Sequence, residues 1–199
     1  MREYLEDLWA RLPAALEPVD FARRRRFLET SLGSAQTVLD LGCGQGEFSA
    51  VLSAAGYGVT GAEVADTALE RARGRHPELE FVRVELDGPL PFPDAGFDAV
   101  WAGEVIEHVA DTARWLSEVR RVLRPGGRLI LTTPSHGRLR VLLGGIGRFS
   151  EPLGDHLHLY TARSLRALLT GFDFTAIEIA RAAGPPGLRR QLLARALRP

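Results

Sequence analysis

Glu104, Glu107 and His108 place two carboxylates and an imidazole in one short stretch. Spacings of three and four would bring all three to one side of a helical turn. Such a set can bind a divalent metal ion such as Mg²⁺. It can also take a proton from a hydroxyl or amine, since an imidazole ordinarily titrates near ~6.5. A second reactive stretch runs from Thr37 to Phe48, TVLDLGCGQGEF. Asp40 precedes Gly42, Gly44 and Gly46, Cys43 sits inside the turn, and Glu47 follows it. Glycines at alternate positions let the chain turn sharply and let a ligand touch backbone. The free N–H groups of the next helix would face that ligand.

The spacing narrows the ligand. A dinucleotide fingerprint reads G-x-G-x-x-G and holds a pyrophosphate at the helix start. Here the third glycine comes one residue early, and the carboxylate of Glu47 would repel a pyrophosphate. That argues against a nicotinamide oxidoreductase. A ligand carrying an amino acid and a positive charge tolerates the acid.

The elements that must position these residues alternate. The run Val38, Leu39, Leu41 predicts a first strand, and Ser49 to Ala55 completes a helix. Val59 to Val64 reads as a second strand ending in Glu63, and Asp66 would cap a helix from Thr67 to Arg75. Phe81 to Val84, Phe97 to Ala102 and Arg128 to Thr133 read as further strands. Asp111 to Leu123 is an amphipathic helix. Thr161 would cap a helix through Leu169, before a sixth strand from Phe174 to Ile179. The alternation predicts an α/β, doubly wound, mostly parallel sheet. The carboxyl ends of its strands line one crevice, so Glu63 would lie beside the glycine turn, where a carboxylate can accept from both hydroxyls of a ribose.

Ahead of this core, Arg2 to Leu12 can form an amphipathic helix with Leu5, Leu8, Trp9 and Leu12 on one face. Asp20 would cap a second helix through about Ser31. Arg23 to Arg26 is either a solvated face or a contact for an anionic substrate. The expected organisation is one domain over 1–199. It comprises N-terminal helices (1–34), a cofactor-binding core (35–183) with a lid loop (134–157), and a basic C-terminal tail (184–199). Leu188, Leu192, Leu193 and Leu197 stand at helical spacing in that tail. The 199 residues carry no net charge, and all 25 basic residues are arginine. This gives no general attraction to nucleic acid and excludes lysine-based covalent catalysis. A single cysteine excludes an internal disulfide. The charged start MREYLEDLW lacks the apolar core of a signal peptide, so a cytoplasmic protein is expected. Composition leaves the oligomeric state open.

The stretch D-L-G-C-G-Q-G closely resembles the first motif of class I S-adenosylmethionine-dependent methyltransferases. GVTGAEV resembles the second, with Glu63 as the ribose acid and Val64 against the adenine. Leu90 to Val109 and Arg120 to Ser135 resemble small-molecule methyltransferases of the ubiquinone- and menaquinone-pathway type. The likeness runs roughly from Val38 to Ile179. It implies a Rossmann-like fold and S-adenosyl-L-methionine as cofactor, held by Asp40, Gly42, Cys43, Gly44, Gly46, Glu63, Val64, Glu85 and Leu86. Asp87 is a substitute for Glu85. Ala102 and Gly103 would lie near the sulfonium. The family usually closes its sheet with a seventh, antiparallel strand, which has no readable counterpart after Ile179.

The resemblance also implies a reaction: methyl transfer to an oxygen, or alternatively a nitrogen, of a small-molecule acceptor. E-x-x-E-H occurs in ubiquinone-pathway O-methyltransferases and in small-RNA 3′-terminal ribose 2′-O-methyltransferases. The latter add a distant histidine, whose setting Asp155-His156 resembles. His108 and His156 are therefore candidate bases. Glu104, Glu107, His108 and His156 are candidate metal ligands, with His158 as second choice for the last. The loop from Pro134 to Leu157 would cover an apolar acceptor, and it or the tail could touch a membrane surface. RNA ribose methylation and a non-catalytic cofactor-binding subunit are the alternatives, and the absence of an RNA-binding module counts against the first.

Overall fold

The computed structural model describes residues 2–13, 17–85, 87–136, 142, 156–185 and 190–199. Among them, seven strands form one sheet: β1 (Thr37–Leu41), β2 (Gly58–Glu63), β3 (Glu80–Arg83), β4 (Phe97–Gly103), β5 (Leu123–Pro134), β6 (Thr175–Ala182) and β7 (Gln191–Leu197). The order is β3-β2-β1-β4-β5-β7-β6, and β7 runs antiparallel to both its neighbours. The helices are α1 (Arg2–Arg11), α2 (Phe21–Ser31), α3 (Glu47–Ala54), α4 (Asp66–Arg75), α5 (Thr112–Val122) and α6 (Ala162–Gly171). None of the described helices is long and apolar enough to cross a membrane.

The period of two along each strand divides the core. Val38, Ala99, Trp101 and Ile130 face one side and pack against Leu28, Leu32, Phe48 and Leu52. Leu39, Leu41, Val100, Leu129 and Leu131 face the other and pack against α5 and α6 through Leu116, Val119, Leu165 and Leu169. Burying one such leucine contributes about 1.5–3 kcal/mol. Helices on both faces make the fold doubly wound, and the strand order reverses direction between β1 and β4. That switch point opens a crevice at the carboxyl ends of the strands.

The tail corrects an expectation. Residues 191–197 form the seventh strand rather than a helix, inserted between β5 and β6. Gln191, Leu192, Leu193 and Ala194 are all buried, because the strand is covered on both faces. Such a strand reads as a continuous apolar run, which periodicity cannot separate from a helix. The arginines of this segment serve the sheet: Arg195 pairs with Glu178 of β6 at 2.6 Å, and Arg198 reaches the carbonyls of Arg121 and Leu123.

Two helix starts also differ from expectation. Asp20 is left-handed (φ 55°), makes no capping hydrogen bond, and pairs with Arg23 at 2.6 Å instead. Asp66 is the first residue of α4 rather than its cap. Glu6 of α1 accepts from the backbone N–H of Asp66 at 2.6 Å and of Thr67 at 3.1 Å. Thr161 caps α6 as anticipated, accepting from the amide of Ser164, and Asp111, expected as the first residue of its helix, caps α5 by accepting from the amide of Arg114. Most of the anticipated lid loop, residues 137–141 and 143–155, lies outside the described residues, as do Leu86 and Leu188.

Candidate active site

The glycine turn joins β1 to α3. Gly42, Gly44 and Gly46 all have positive φ, at 79°, 55° and 86°. A Cβ at Gly42 would collide with Val105, and one at Gly44 would come within 2.9 Å of the Trp9 ring. The turn is therefore closed on itself and lies close to α1. Gly42 and Cys43 donate their N–H groups to the Ala62 carbonyl at 2.7 and 3.0 Å. Arg75 of α4 braces the turn, donating to Gln45 at 3.1 Å and pairing with Glu47.

Glu63 ends β2 against this turn. Its Oε2 accepts from the Gly44 N–H at 3.0 Å, and its Oε1 from those of Val64 and Ala65 at 2.7 and 3.2 Å. Burial pushes its carboxyl above the usual range, and those three hydrogen bonds oppose the shift. Asp40 lies beneath the turn, 1% exposed, accepting from Ser49 Oγ at 2.6 Å. Burial raises its pKa to about 7.

A cavity of about 270 Å³ occupies the switch point. Gly42, Cys43, Gly44, Glu63, Val64, Glu85, Gly103, Glu104 and His108, all candidate site residues from the sequence, line it. Asp87 lines it beside Glu85, whose carboxylate pairs with Arg83 at 2.8 Å. Three anticipated cofactor residues stand behind the wall. Asp40 is engaged by Ser49, Ala102 is buried in the sheet, and Gly46 starts α3 with Phe81 and His76 packed where its Cβ would be. The Cys43 thiol is buried with Leu69, Ala72 and Phe81, and burial pushes its pKa up.

Sequence reasoning missed α1 as a wall of the site, and it left Arg24 inside a run read either as a solvated face or as a contact for an anionic substrate. Leu5, Leu8, Trp9 and Leu12 on the apolar face of α1 form one wall of the cavity. Arg24 forms another part of the wall and is only 5% exposed. Its guanidinium stacks on Phe48 at 4.9 Å and on Trp101 at 5.7 Å. Burial lowers its pKa, while Glu104, Glu107, Asp40 and Asp20 pull it back up. The signal for both was the helical spacing of neighbouring apolar residues.

The acid–imidazole cluster is only partly as anticipated. Residues 104–108 form turns after β4 rather than a helix, and Glu104 has φ 60°. This sends Glu104 away from the others: its Oε1 accepts from Gln191 Nε2 of β7 at 3.1 Å. Glu107, His108 and His156 do come together, with one ligand atom from each within 4.8 Å of the others. The His108 and His156 rings meet edge to face at 4.7 Å. Glu107 is fully buried and accepts from Thr133 Oγ1 at 2.9 Å, while its Oε1 has no hydrogen-bond partner. Burial, then the nearby charge of Glu104, pushes its carboxyl well above the usual range. His158 stays outside the cluster, its Nε2 2.9 Å from the Val109 carbonyl.

A methyltransferase-domain family matches residues 39–131. The malonyl-[acyl-carrier protein] O-methyltransferase of Erwinia pyrifoliae is 33% identical over 150 residues, covering 72% of this chain and 56% of that protein. The demethylmenaquinone methyltransferase of Tropheryma whipplei is 35% identical over 106 residues, covering 53% and 44%. The chain thus spans about half the length of these curated relatives. Among solved structures, an S-adenosylmethionine-dependent methyltransferase from Mesorhizobium loti superposes with a TM-score of 0.73 at 23% identity. The match covers 91% of this chain and 98% of that one. At that identity the likeness shows the fold alone.

Proposed function

The chain belongs to the class I S-adenosylmethionine-dependent methyltransferases, and on that footing we propose that it methylates an oxygen of a small-molecule acceptor. The residues at the switch point fit the cofactor. Gly42, Gly44 and Glu63 line the cavity, and the Glu63 carboxylate, which already accepts from three backbone N–H groups, has one acceptor site left for a ribose hydroxyl. Val64, Val84 and Leu90 give the cavity an apolar wall for the adenine, with Glu85 and Asp87 at its edge.

The cofactor supplies an already activated methyl group, so the protein's work is alignment and proton removal. Holding an acceptor in line can supply about 7–11 kcal/mol. The observation that carries the general-base reading is the His108–His156 contact at 4.7 Å, with the buried Glu107 behind it, and the choice of oxygen rests on the likeness to the O-methyltransferase of Erwinia pyrifoliae. His108 lines the cavity and takes the acceptor's proton, and His156 holds its ring. His108→Ala should lower methyl transfer about 10²–10⁴-fold while leaving S-adenosylhomocysteine affinity unchanged. Full activity in both His108→Ala and His156→Ala overturns this assignment.

One observation favours a metal-assisted second reading: Glu107, His108 and His156 converge, and Glu107 Oε1 accepts no hydrogen bond, with His108 Nε2 3.9 Å away. Two imidazoles and one carboxylate suit Zn²⁺ or Mn²⁺ better than Mg²⁺, which prefers oxygen. Calorimetric titration of each metal decides it. No binding, or binding that survives Glu107→Ala, removes the metal. Ribose methylation of RNA is disfavoured, because seven carboxylates and only two arginines line the cavity, and these repel a phosphate backbone.

A further inference from the structure

Glu104 stands in a conformation that its residue type resists. Its φ of 60° lies in the left-handed region, where a residue with a Cβ is strained and glycine is not. The backbone is nevertheless pinned there: the Glu104 N–H donates to the Thr132 carbonyl of β5 at 2.9 Å. The carboxylate is held from β7. Its Oε1 accepts from Gln191 Nε2 at 3.1 Å, and among the described residues no other hydrogen bond reaches it.

Gln191 carries a cost of its own. It is 6% exposed, and its Oε1 is buried without a hydrogen-bond partner among the described residues. It opens β7 opposite Pro134 of β5, where an apolar side chain would serve the sheet as Leu192 and Leu193 do after it. A strained backbone and an unmet buried oxygen thus meet in one hydrogen bond. Costs of this kind, which the fold itself does not require, gather at functional sites.

The placement says which function. The sheet order puts β5 and β7 beyond β4, on the side of the switch point away from β1, β2, the glycine turn and Glu63. Reading the cavity as the cofactor site gives the β1–β2 side to the cofactor and leaves the β4–β5–β7 side to the acceptor. Glu104 lines the cavity there, and His108 lines it four residues further on. A carboxylate accepts hydrogen bonds and offers none, so the group it meets is a donor.

We propose that Glu104 is a specificity-determining residue that accepts a hydrogen bond from a second hydroxyl of the acceptor, and that Gln191 is the residue that positions it. This rests on the proposed methylation of oxygen. The reacting hydroxyl gives its proton to His108 while its oxygen bonds to the methyl group. The methyl–sulfur bond of the sulfonium breaks, and its electron pair leaves a neutral thioether. The neighbouring hydroxyl keeps its proton and donates to Glu104, so the acceptor is a diol.

The test compares initial rates of methyl transfer to two probe acceptors, catechol and phenol, which differ by that second hydroxyl. The wild type should prefer catechol roughly 10–100-fold in kcat/KM, the scale of a hydrogen bond to a charged group. Glu104→Ala should bring that ratio to about one, mainly through KM, and Gln191→Met should lower it at least about threefold. A folding defect lowers both rates and leaves the ratio, and titration with S-adenosylhomocysteine checks that each variant is folded. An unchanged ratio in Glu104→Ala overturns the assignment, and an unchanged ratio in Gln191→Met overturns the positioning role. Equal turnover of the two probes by the wild type overturns the diol while methylation of oxygen stands. Turnover of neither also overturns the diol, and methylation of benzylamine in their place removes the oxygen reading with it.

Discussion

Glu6 caps the helix that begins at Asp66: its Oε1 accepts from the Asp66 N–H at 2.6 Å, and its Oε2 takes the next amide at 3.1 Å. A residue of α1 thus does what the side chain of a preceding residue usually does. The bond ties the helix carrying Leu5, Leu8 and Trp9 to the cofactor edge of the sheet.

Removing that tie should loosen the wall. Glu6→Ala should cost about 0.5–2 kcal/mol in thermal or urea unfolding, the range for a lost N-cap. It should also weaken S-adenosylhomocysteine several-fold and speed proteolysis within residues 2–12. Unchanged affinity and unchanged cutting would show that α1 is held by its apolar face alone.

Asp40 makes stability fall as pH rises. Its folded-state pKa of about 7 lies above the ordinary carboxylate value of ~3.9. The folded protein therefore holds this proton longer than the unfolded chain does. The contribution is fully present below about pH 4 and is lost as pH climbs through 7. Asp40→Asn keeps an acceptor for Ser49 and cannot ionise. Its stability relative to wild type should be greater at pH 8 than at pH 5, by an amount on the order of a few kcal/mol. A difference independent of pH would mean that the Asp40 carboxyl titrates normally.

The seventh strand makes the C-terminal segment part of the core. Leu192 is fully buried and pairs with Thr133 of β5 and Arg181 of β6. Leu192→Ala should cost about 2–5 kcal/mol in urea unfolding. A loss within ~0.5 kcal/mol is the surface outcome and would place the segment outside the sheet.

What could be read from sequence follows the range of the forces involved. The glycine turn, Glu63 and the cap at Thr161 were legible, because each is set by residues within a few positions. β7 was not, since a strand covered on both faces loses its alternation. The divergence of Glu104 from Glu107 was hidden too: it depends on a positive φ after β4, a conformation that glutamate rarely adopts. Arg24 was half legible. It stands four residues before Leu28, on the buried stripe of α2 with Ser31, but the run of four arginines masked that stripe. The partners Phe48 and Trp101 come from α3 and β4, and no local pattern announces them.

The measurement closest to the central claim is calorimetric titration of S-adenosylhomocysteine into the wild-type protein and into Glu63→Ala. The wild type should bind one equivalent, and loss of the ribose-facing carboxylate should weaken that binding more than about tenfold. No binding by the wild type, or wild-type affinity in Glu63→Ala, would contradict the placement of the cofactor at the switch point between β1 and β4.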